Sequence, residues 1–64
     1  MKLKKYLEIY RISQYKFAGV MNTSTANVAR WTNDKCIPSL RYLKKIKEIT
    51  GGRVTADDFY EGKQ

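Results

Sequence analysis

The 64 residues predict a compact all-α domain of five short helices. Three observations carry that prediction. Apolar residues recur at helical spacing, first at Leu3, Tyr6, Leu7 and Tyr10 and again at Leu40, Leu43 and Ile46. Residues that start or stop helices stand between these runs: Ser13, Ser24 and Ser39 before them, Gly51-Gly52 after the last. Between Gln14 and Asn33 the pattern fits two helices joined by a sharp turn.

The first helix is expected from about Leu3 to Tyr10, with its apolar stripe turned inward. Ser13 caps a second helix from Gln14 to about Val20, which carries Phe17, Ala18 and Met21. Asn22-Thr23 is the turn, and Asn tolerates the left-handed conformation that a sharp reversal needs. Ser24 caps a third helix that runs to Thr32 and turns Val28 and Trp31 inward. A polar loop follows from Asn33 to Pro38. The fourth helix begins at Pro38-Ser39, with Ser39 the expected cap. Leu40, Leu43, Ile46 and either Lys47 or Thr50 share its inner side, Tyr42 and Ile49 flank it, and Lys44, Lys45 and Lys47 are expected outside. Gly51-Gly52 ends it. Thr55-Ala56-Asp57-Asp58 reads as a capped start for a last short helix to Tyr60. A β-hairpin is the alternative for the tail, disfavoured by the scarcity of β-branched residues after Arg53.

Two helices that cross steeply need a small residue at their contact, and Ala18 supplies it. The run MNTSTANVARW resembles the Cro/repressor class of helix-turn-helix proteins. Met21 takes a usual Leu place, Asn22 a Gly place and Thr23 a Val or Ile place, while Ser24, Val28 and Trp31 keep the pattern. Gln14 and Ala18 match that family's Gln-x-x-x-Ala upstream, and IPSLRYLKKIKEITGG is similar to its closing helix. The similarity spans about Ser13 to Gly52. It implies a domain that lays its third helix in the DNA major groove and represses transcription from operator DNA, as phage Cro-like regulators do. Residues 1–64 leave room for one domain, with 53–64 as a tail.

Charge agrees with a polyanionic partner. The formal net charge is +7. Residues 1–53 hold twelve Lys and Arg against Glu8, Asp34 and Glu48, whereas the tail holds Lys63 against Asp57, Asp58 and Glu61. One cysteine, Cys36, permits no internal disulfide and fits a reducing, cytoplasmic compartment. With no His and a single Cys, neither a metal set nor a usual nucleophile–base pair is expected, so the reading is of a non-enzyme without cofactor. No apolar run approaches a membrane span, and the basic N-terminal stretch is too interrupted by charge to read as a signal peptide.

Stepping about 100° per residue from Val28 and Trp31 turns Ala26, Ala29, Arg30 and Asn33 outward, with Thr25 at the side of the first turn. These five are the candidate base readers. Arg30 suits a bidentate contact to guanine O6 and N7. Thr25 suits a base or a phosphate, Ala26 and Ala29 suit thymine methyls, and Asn33 suits an adenine or a phosphate. The candidate backbone contacts are Gln14, Tyr15, Lys16, Lys35, Ser39 and Arg41. For Gln14 the resemblance implies a phosphate contact and a brace on the third helix. Trp31 reads as core; its other use would be as a stacking platform for single strands.

One recognition helix reads few base pairs, so a homodimer on two half-sites is expected. Val54, Phe59 and Tyr60 are the expected contact, since bulky groups in the tail have little left to cover, and the loop near Cys36 and Ile37 is a second place for it. The expected function is a double-stranded, sequence-specific regulator. Its rivals are an antitoxin-like regulator whose main partner is a protein, and an architectural factor that bends DNA.

Overall fold

A computed structural model describes residues 1–60, and they form five helices: α1 (Leu3–Tyr10), α2 (Gln14–Met21), α3 (Thr25–Thr32), α4 (Leu40–Ile49) and α5 (Ala56–Tyr60). Among the described residues there is no strand, so the tail is helical rather than a hairpin. Glu61 and Lys63 of the expected acidic tail lie outside the described residues. No helix among them is long and apolar enough to cross a membrane.

Two serines start helices as expected. Ser13 Oγ accepts from the Lys16 amide at 3.0 Å, and Ser24 Oγ accepts from the Asn27 amide at 3.1 Å. Ser39 holds the cap position of α4 without a side-chain cap bond, which leaves its hydroxyl uncommitted to that role. α5 starts with Thr55, whose backbone N–H donates to Asp58 Oδ2 at 2.9 Å.

Four helices end by one device: a residue turned into left-handed backbone, and two amides folded back on the last turn. Arg11 (φ 55°), Asn22 (φ 58°), Asp34 (φ 58°) and Gly51 (φ 63°) make the reversals. The next residue closes each one, with Ile12, Thr23, Lys35 and Gly52 amides bonded to the carbonyls of Leu7, Ala18, Arg30 and Lys47.

One core joins all five helices. Leu3, Tyr6 and Leu7 of α1 meet Phe17, Ala18 and Met21 of α2, Val28 and Trp31 of α3, and Leu43 and Ile46 of α4. Thr50 rather than Lys47 completes the inner side of α4, buried with its hydroxyl bonded to the Ile46 carbonyl at 2.7 Å. Leu40 is 68% exposed, because it lies a turn ahead of the buried stripe. Tyr10 is exposed with its ring 4.6 Å from that of Tyr6. Lys45, expected outside, is half-buried and donates to the Met21 carbonyl at 3.3 Å.

The expected dimer contact needs correction. Val54 is 0% and Phe59 4% exposed within the single chain, so neither is free to meet a second copy. Both belong to the one core cluster, and only Tyr60 of the three faces outward.

Candidate nucleic-acid interface

The face of α3 follows from its register. Val28, Trp31 and Thr32 are buried and point to one side. Thr25, Ala26, Ala29, Arg30 and Asn33 then fall within an arc of about 140° on the other. Thr25, Ala26, Arg30 and Asn33 are exposed, and Ala29 is half-exposed. No acidic residue stands on α3. The arc therefore offers a guanidinium, an amide, a hydroxyl and two methyl groups, and its small residues leave the backbone close to any surface it meets.

Arg30 does not project freely. Its Nη1 donates to Asn27 Oδ1 at 2.9 Å, which uses one of five N–H groups and leaves four to a ligand. Asn27 itself is half-buried and was not among the expected site residues. Its signal in the sequence is spacing, for it stands three residues before Arg30 and four after Thr23.

α2 presents a second set. Gln14 Nε2 donates to Thr32 Oγ1 at 3.0 Å, so the side chain does brace α3, and one N–H remains for another acceptor. The Thr32 hydroxyl in turn donates to the Ala29 carbonyl at 3.0 Å. Tyr15, 81% exposed, and exposed Lys16 share the first turn of α2 with Gln14.

The third set lies beyond α3. Lys35 is exposed, with its backbone fixed by the bond to the Arg30 carbonyl at 2.9 Å. Its neighbour Asp34 pairs with Lys2 at 3.6 Å. Ser39 and Arg41 are exposed at the start of α4. Met21, Asn22, Arg41, Tyr42 and Lys45 line a hollow of about 270 Å³ there.

Tyr42 links this corner to the turn. Its ring centroid is 5.3 Å from that of Trp31, and the Arg41 guanidinium sits 5.4 Å from its own centroid. The Thr23 hydroxyl and then Arg41 beside its oxygen hold the phenol below its usual 10.0. Trp31 is buried, so it packs the core and offers no stacking platform.

Among the described residues no group of His, Cys, Asp or Glu is placed to hold a metal. The three sets together supply hydrogen-bond donors and positive charge on the exposed side of α3 and on the segments that flank it. Comparison with protein-family models, curated proteins and solved structures finds no match to this chain.

Proposed function

We propose that this chain is a sequence-specific regulator that binds double-stranded DNA as a dimer, most closely a Cro-type repressor. The observation that supports it best is the outer arc of α3, capped at Ser24, free of acidic residues, and carrying an Arg30 already bonded to Asn27. α3 enters the major groove, and Arg30 contacts a guanine while Thr25, Ala26, Ala29 and Asn33 meet neighbouring edges. Gln14, Tyr15 and Lys16 contact one phosphate strand, and Lys35, Ser39 and Arg41 the other. Occupancy of promoter DNA excludes polymerase.

In-vitro selection from randomised duplex DNA at near-physiological salt tests this reading. An enriched inverted repeat with half-sites about 34 Å apart is the expected result. Salt-sensitive binding without enrichment would reject sequence-specific regulation.

A further inference from the structure

Asn27 is the one side chain on α3 whose amide is engaged at both ends. Its Nδ2 donates to Thr23 Oγ1 at 2.9 Å, and its Oδ1 accepts from Arg30 Nη1 at 2.9 Å. Accepting from Asn27 leaves the Thr23 hydroxyl with its proton and a second lone pair, and this hydroxyl helps hold the Tyr42 phenol below its usual 10.0. Tyr42 in turn packs against buried Trp31. A line of hydrogen-bonded side chains thus runs from Arg30 through Asn27 to Thr23 in the turn before α3.

We propose that Asn27 is a positioning residue that sets base preference through Arg30, an inference that rests on the DNA-binding reading above. Arginine loses much rotamer freedom when it contacts a base, and a side chain held beforehand loses less. An untethered guanidinium can also swing to a neighbouring base pair or a phosphate. Held at one corner, it turns its remaining edge in one direction. Asn27 is half-buried, and its oxygen and its nitrogen each already make a side-chain bond within the protein, which suits a bracing role.

Selection from randomised duplexes, run side by side on the wild type, Asn27→Ala, Arg30→Ala and the double variant, tests the proposal. Asn27→Ala should lower the preference at the Arg30 base pair by about tenfold, leave the salt dependence unchanged, and add nothing to Arg30→Ala. Thr23→Val keeps the branched shape and removes the anchor of Asn27, so it should weaken preference at that same pair; it serves if Asn27→Ala fails to fold by circular dichroism. An unchanged preference in Asn27→Ala overturns the proposal. So does a loss at a different base pair, which would make Asn27 a direct reader, or a further loss in the double variant. A wild type without any preference overturns both this inference and the regulatory reading beneath it. A wild-type preference retained by Asn27→Ala overturns the inference alone.

Discussion

Thr50 is a polar side chain in an apolar place, and its hydroxyl explains why. It donates to the Ile46 carbonyl at 2.7 Å and accepts from the Val54 amide at 3.1 Å, where no water reaches. Thr50→Val keeps the shape but strands the Val54 N–H, which should cost about 1–3 kcal/mol in denaturant unfolding. Thr50→Ser keeps the hydroxyl and should cost less; a Val variant as stable as the Ser variant would show that the bond contributes nothing net. Tyr42 offers a test in pH. Its folded value lies below the ordinary 10.0, so folding favours the phenolate. Its contribution to stability is therefore present above about 10 and lost as pH falls through the lowered folded value. Between those two points the wild type should gain stability with rising pH relative to Tyr42→Phe. Parallel curves for the two proteins would mean that Thr23 and Arg41 do not favour the phenolate.

Helix ends account for most of what could be read in advance and for what could not. Asn22 was legible as a left-handed residue because asparagine is one of few that tolerate it, and its φ is 58°. Arg11 adopts the same conformation with no such licence in its side chain. The signal there is the next residue, since Ile12 closes the reversal and packs on the core, an apolar contact that accompanies this ending. Left-handed backbone costs an ordinary residue about 1–2 kcal/mol, and glycine costs about 0.5–1 kcal/mol in the unfolded chain. Arg11→Gly should therefore stabilise by up to about 1 kcal/mol, which in a domain this small raises the melting temperature by roughly 4–8 °C. A lower melting temperature would show that exposed Arg11 makes a favourable interaction outweighing its strain. The tail forms its expected helix, but the burial of Val54 and Phe59 escapes the sequence for a related reason. α5 has five residues, too few for periodicity to show which side is buried. Its placement is set by contacts distant in sequence or by single bonds, such as Val54 to Thr50 and Asp58 to the Met1 amino group at 3.0 Å. The outward face of α3 was legible because Val28 and Trp31 fix its register, whereas the tether on Arg30 needed the side-chain geometry.

Net charge alone would bind this protein to DNA at many angles, because lysines stand on α1 and α4 as well as beside α3. The proposed geometry predicts something narrower. If α3 enters the groove, Lys35 lies at a phosphate, while Lys5 on α1, which contributes no interface residue, remains in solvent. Each lost phosphate contact lowers the slope of log affinity against log salt by about 0.9. Lys35→Ala should thus flatten the slope, and Lys5→Ala should leave it nearly unchanged. The size of the change also counts copies. A single bound chain loses one contact and about 0.9 in slope, whereas a two-fold dimer loses one from each copy, or about 1.8. This count matters because Val54 and Phe59 are spent on the core and Tyr60 alone of the expected contact is left exposed. A slope change near 1.8 in titrations on an inverted repeat would establish the dimer on DNA even if the free protein sediments as a monomer. A change near 0.9 would make the unit of recognition one chain. Equal changes from Lys35→Ala and Lys5→Ala would show binding through diffuse charge and remove the α3 face from the account.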